Sequence, residues 1–132
     1  MVGLADMVSL PYAAVPFVTS IILVLAAPGS PQAQPRNILG GHILSSLAGI
    51  VVLLLLGGTG WFAAIAVGLA VGAMVATKTL HPPAGINAFM IVTLHQHWTV
   101  LLMPVAAGAV ILTCYAWVYH RLTRETPWPE VG

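Results

Sequence analysis

The sequence predicts an all-α membrane protein with five membrane-crossing segments, two of them short broken helices. Three observations carry this. Hydrophobic residues make up 59% of the 132-residue chain and charged ones only 5%, whereas about a quarter of a soluble domain's residues are charged. Charge-free stretches run from Met7 to Pro35, from Asn37 to Thr77 and from Thr79 to His120, and a span needs roughly 20 apolar residues. Turn-forming residues then divide those stretches. Little is left for a soluble domain, so residues 1–132 form a single transmembrane domain with the lipid bilayer as its first partner.

The first segment runs from about Leu10 to Ala27 and is interrupted by Pro11 and Pro16. Only Phe17 to Ala27 remains for an unbroken helix after Pro16, which is expected to begin a half-helix. "PGSPQAQPRN" (Pro28 to Asn37) is a loop. The second segment, Ile38 to Leu56, ends at the tight turn "GGTG" (Gly57 to Gly60), and the third is Trp61 to Thr77. The fourth, Pro83 to about Leu94, rises about 18 Å as a helix, too short for a hydrocarbon core of about 30 Å. It crosses only with help from irregular backbone, which survives in a membrane where protein buries it or water lines it. "HQHW" (His95 to Trp98) separates it from the last segment, Thr99 to Tyr119, with Pro104 in its first turns.

If all five segments cross, Arg36, Lys78, Arg121 and Arg124 share one face, which the positive-inside pattern makes cytoplasmic together with the C-terminus. Tyr12, Trp61 and Trp98 gather at the other interface. A multi-pass protein of a bacterial inner membrane is expected, and "MVGLADMVSL" lacks the basic leader of a signal peptide. Small-residue ladders, Gly41, Ser45, Gly49 and Ala64, Gly68, Gly72, Ala76, mark close helix packing within the bundle or between copies. A homo-oligomer or a membrane partner is therefore expected. "VPFVTSIILV" (Val15 to Val24) resembles "PPAGINAFMIV" (Pro82 to Val92), and "GGHILSS" (Gly40 to Ser46) resembles "GAVILTC" (Gly108 to Cys114). Three crossings separate each pair, the arithmetic of an inverted repeat covering about 10–57 and 61–120. Such repeats are a recurring plan for transporters whose half-helix N-termini converge on a ligand.

"KTLHPPAGINAFM" (Lys78 to Met90) concentrates polar chemistry in this apolar chain. Pro82 and Pro83 suit a first helical turn, where the missing N–H has no partner to lose, and the residue before a proline is pushed to extended backbone. His81 is thus held at a helix break. Gly85 permits close approach, Asn87 offers an amide, and Lys78 stands one turn earlier. A cation, an imidazole, an amide and free N–H groups without a carboxylate suit a small anion. His81, Lys78, Asn87, Gly85, Thr19 and Ser20 are the candidate binding residues, with Pro82, Pro83 and Pro16 as helix breaks. Arg36 and His42 are candidates for the ion's pathway, with interfacial roles as the alternative.

These stretches also resemble a known family. His81 to Pro83 match the motif of the HPP family of small integral membrane proteins. "AAPGSPQAQPRNILGGH" (Ala26 to His42), "TKTLHPPAGINAF" (Thr77 to Phe89) and "PWP" (Pro127 to Pro129) are similar to its most recognisable parts. The resemblance implies a multi-span membrane protein and, for some photosynthetic members, nitrite transport. Members usually begin with one more hydrophobic segment, so the first repeat is expected to lack an initial helix that a second copy or a partner supplies. They also usually carry Gly-Ala-Ser where this chain has Val18, Thr19 and Ser20.

Other readings are narrower. His95 and His97 stand one residue apart with no acid or cysteine nearby, so interfacial turn roles are expected, and His120 is expected at the interface. Cys114, the single cysteine, cannot form an internal disulfide and reads as a small core residue. Asp6, Glu125 and Glu130 lie at the chain ends, so neither an enzyme nor a metal or cofactor site is expected, and no basic run suits nucleic acid. Transport of a small inorganic anion, nitrite first, is the expected function. The alternative is a non-transporting membrane subunit that packs in a larger complex.

Overall fold

The computed structural model describes residues 4–123 and 127–130, with side chains from residue 14 onward. Regular structure among these residues is entirely helical: α1 (Leu4–Ala26), α2 (Pro35–Leu56), α3 (Gly60–Ala76), α4 (Gly85–Thr93) and α5 (Ala107–Thr123). Short 3-10 turns at Pro31–Ala33 and Pro82–Ala84 precede α2 and α4, and an irregular helical stretch from Trp98 to Ala106 precedes α5.

Proline does three different things here. Pro35 occupies the first turn of α2, where it costs no hydrogen bond. Pro82 and Pro83 open the 3-10 turn before α4, and His81 ahead of them is extended at φ −136°, ψ 91°, as expected. Pro16 does not begin a helix: α1 runs unbroken for 23 residues through it. A lone interior proline removes one backbone hydrogen bond, and neighbouring protein in a membrane bundle makes that tolerable. Pro16 is buried, and the hydroxyls of Thr19 and Ser20 tie the next turn onto its carbonyl at 3.0 and 2.7 Å.

The second irregular segment lies instead before α5, where Met103 takes φ −135°, ψ 123° ahead of Pro104. Val15–Val24, mid-helix, therefore does not match Pro82–Val92, a turn followed by a nine-residue helix.

α2 is the centre, packing most extensively on α3 and α4. Its Gly41, Ser45 and Gly49 are buried, and a Cβ on Gly49 would lie 2.9 Å from the Ala88 Cα, so absence of side chain is what lets α4 approach. On α3 the packed face is Ala63, Ala66, Ala70 and Met74. The expected ladder Ala64, Gly68, Gly72, Ala76 is exposed, and Gly68 and Gly72 meet nothing within 4 Å. α3 is apolar all round, so spacing could not choose between its two small-residue faces. Cys114 is exposed rather than in the core, because α5 buries the stripe Ala109, Leu112, Ala116 and His120. The outer faces present large apolar side chains such as Leu54, Leu55, Ile111 and Leu122, at 67–77% exposure, which lipid solvates.

Hydrogen bonds collect four helix ends at one end of the bundle. Arg36 Nη2 donates to the Thr77 carbonyl at 3.1 Å, His120 Nε2 pairs with the Val24 carbonyl at 3.2 Å, and Trp128 Nε1 donates to the Ala33 carbonyl at 3.1 Å. Arg36, Lys78 and Arg121 share this basic end, and Arg124 lies outside the described residues. His120 is buried beneath Trp128 rather than lying at an open interface, their ring centroids 5.7 Å apart. Trp61 and Trp98, both exposed, lie at the opposite end, where Gly58 packs against His95; the Tyr12 side chain is outside the described set.

Candidate buried polar site

Ser20 from α1, His42, Ser45 and Ser46 from α2, His81 from the helix break and Asn87 from α4 are each between 0% and 3% exposed. Ser20 comes six residues before the end of α1 and His42 seven after the start of α2, so both stand about 10 Å inside the basic end. Local chemistry brings His81 to the same depth. α3 ends in a Schellman motif, with the Thr79 N–H on the Met74 carbonyl at 2.8 Å and the Lys78 N–H on the Val75 carbonyl at 3.1 Å. Lys78 takes the left-handed position at φ 57°. The chain then turns back into the bundle, held by Asn37 Nδ2 donating to the Leu80 carbonyl at 2.9 Å. A Cβ on Gly41 would stand 2.6 Å from the His81 Cβ, so glycine there makes room for the histidine.

Ser20 Oγ is the hub, 3.0 Å from His42 Nε2 and 2.8 Å from His81 Nε2. His81 Nδ1 meets the Gln32 carbonyl at 2.7 Å. Asn87 Nδ2 lies 3.0 Å from His42 Nδ1, 3.3 Å from the His42 carbonyl and 3.2 Å from Ser46 Oγ. Phe17 stacks on His42 with centroids 4.8 Å apart.

The partners assign the hydrogens. A carbonyl only accepts, so His81 carries its hydrogen on Nδ1 and, when neutral, a lone pair on Nε2. The His42 carbonyl likewise requires the Asn87 NH₂ to face it. The same NH₂ therefore donates to His42 Nδ1, which puts the His42 hydrogen on Nε2, pointing at Ser20. The two histidines are opposite tautomers.

Four expected site residues thus meet: Ser20, His42, His81 and Asn87, with His42 at the centre rather than at the interface. Others do not join them. Thr19 is exposed and bonds only the Pro16 carbonyl. Lys78 is exposed and stops α3, and Arg36, also exposed, caps it. Gly85 is buried, but a Cβ on it would meet nothing within 4 Å, so no close approach uses it.

Several backbone N–H groups at the tip of α4 are already taken up. Pro82 and Pro83 carry no N–H, Ala84 and Gly85 donate to the His81 and Pro82 carbonyls, and the Ala88 N–H takes Ser45 Oγ at 3.2 Å. His95 closes α4 in a second Schellman motif, at φ 50°, with the Gln96 N–H on the Ile91 carbonyl at 3.0 Å. Ser46 and the Gln32 carbonyl were not anticipated, and Ser45 was expected only as a packing residue. The i, i+3, i+4 spacing of His42, Ser45 and Ser46 was the available signal for the two serines.

A water-sized cavity of about 20 Å³ adjoins the cluster, lined by residues including Pro16, Asn87, Gln96 and Pro104.

Helices clothed in apolar side chains around a buried polar centre define a helical integral membrane protein. The chain belongs to the family of the HPP transmembrane region, whose model matches residues 1–129. It is 34% identical over 121 residues to each of two curated transmembrane proteins of Dictyostelium discoideum, covering 86% of this chain. The chain spans only 39% and 42% of those relatives' lengths. No solved structure matches.

Proposed function

We propose that the chain is a membrane transport protein, carrier or channel, for a small inorganic anion, with nitrite the species its resemblance implies. Its binding centre is the cluster of Ser20, His42, His81 and Asn87. The observation that supports this most is the burial of these four polar side chains, at 0–3% exposure, inside helices that face lipid. Polar and ionisable groups at membrane depth are costly and mark substrate pathways by default. A hydroxyl, imidazole N–H groups and an amide suit a ligand that accepts hydrogen bonds. The four side chains are buried and His81 Nδ1 is held by the Gln32 carbonyl, so transport requires a rearrangement of the helix break against α1 and α2. In this reading the basic end faces the cytoplasm of a bacterial cell.

The exposed Ala64, Gly68, Gly72, Ala76 face of α3 favours a second reading, a non-transporting subunit packed against another chain, and in either reading supports assembly with another copy or partner. Nitrite flux into proteoliposomes separates the two. The unaltered protein is expected to carry nitrite well above protein-free vesicles, and His81→Ala to lose that flux while keeping its assembly state in detergent. Absence of flux in the unaltered protein favours the subunit.

A further inference from the structure

Hydrogen counting at Ser20 leads beyond the anion itself. Ser20 Oγ has three polar neighbours: the Pro16 carbonyl at 2.7 Å, His42 Nε2 at 3.0 Å and His81 Nε2 at 2.8 Å. A hydroxyl donates once and accepts twice. The His42 Nε2–H fills one accepting position. With both histidines neutral, the single serine hydrogen faces two acceptors, the Pro16 carbonyl and His81 Nε2, and one short contact has no hydrogen in it. One added proton completes the set: His81 Nε2–H donates to Ser20, Ser20 O–H donates to Pro16, and His42 is unchanged. The proton belongs on His81, because a second hydrogen on His42 would point Nδ1–H at the Asn87 NH₂.

Among the described residues, nothing beside His81 neutralises such an imidazolium. The elements around it present Ser20 from α1, the Gln32 carbonyl from the 28–34 loop, and Gly41 and His42 from α2, with the Met74 sulfur and the Thr79 carbonyl beside Gly41. The described charged groups of that end, Arg36, Lys78, Arg121 and Glu130, are all exposed, and Arg124, Glu125 and the Asp6 side chain are outside the described set. A charge buried without a partner is expensive. An anion entering the cluster supplies the partner that the described residues do not.

We propose that the Ser20–His42–His81 cluster is a proton site as well, taking up one proton on His81 only together with the anion, so that the two move as an electroneutral pair. The step forms an N–H bond at His81 Nε2 with a proton from the aqueous phase, turns the Ser20 hydrogen onto the Pro16 carbonyl, and reverses on release. It rests on the transport reading and deepens it.

The test uses full-length protein with ¹⁵N-labelled histidine in bilayers at mildly acidic pH, with sodium nitrite as the probe and sodium gluconate as control. The His81 signal is assigned by its loss in His81→Gln. Expected is a neutral His81 without nitrite and an imidazolium signal that grows with nitrite, absent in Ser20→Ala. A His81 that stays neutral at saturating nitrite, or is charged equally without it, overturns the proposal. Nitrite flux in the same preparation tells the failures apart: flux that charges the vesicles sinks only the coupling, whereas no flux and no nitrite-dependent signal sinks the transport reading with it.

Discussion

Ser20→Ala is expected to destabilise the protein by about 2–6 kcal/mol although it removes a single oxygen. That oxygen partners the Nε2 atoms of two histidines, both 0% exposed. Without it a buried N–H on His42 and a buried lone pair on His81 go unpaired, and each such group costs about 1–3 kcal/mol. Lipid outside the bundle offers neither a substitute. Thr19→Ala is the matched control. Its hydroxyl is exposed and bonds only a carbonyl that the helix already uses, so a change within about 0.5 kcal/mol is expected. Denaturation of both variants in one mild detergent measures the difference, and equal losses would remove Ser20 from its place at the hub.

Gly41→Val has the second-largest expected effect. A Cβ there would stand 2.6 Å from the His81 Cβ and 3.3 Å from the Thr79 carbonyl oxygen, and valine adds two further carbons. The histidine cannot yield without breaking its bonds to Ser20 and to the Gln32 carbonyl, and the carbonyl is fixed backbone. Overpacking costs about 1–3 kcal/mol and sometimes more, and nitrite flux is expected to fall with it. Gly68→Val, on a face with open space around it, is expected to leave thermal stability nearly unchanged. If the two variants unfold alike, α2 does not approach the helix break as closely as described.

The same residues show what could be read beforehand. The break at His81 to Pro83 was legible because two adjacent prolines leave a helix no way through, and the Gly41, Ser45, Gly49 ladder because α2 buries one face. Pro16 misled because a single proline is a local signal, while the decision to continue α1 was made by tertiary contacts around Pro16. Lys78 misled for a related reason. Charge type pointed to a ligand, but the backbone needed a left-handed residue to stop α3, a position glycine usually fills. His42 was legible as polar and misplaced in depth, since only the tertiary fold turns its face of α2 toward Ser20 and Asn87. The depth of a side chain within a bundle is not a property of its own segment.

The account rests on one hydroxyl joining two histidines of opposite tautomer, and the tautomers are directly observable. Solid-state ¹⁵N spectra of histidine-labelled protein in bilayers at mildly alkaline pH, without added anion, are the measurement. The hydrogen is expected on Nε2 in His42 and on Nδ1 in His81, both protected from exchange with deuterated solvent. Identical tautomers at the two positions, or free exchange at both, would contradict the buried network on which the proposed site depends.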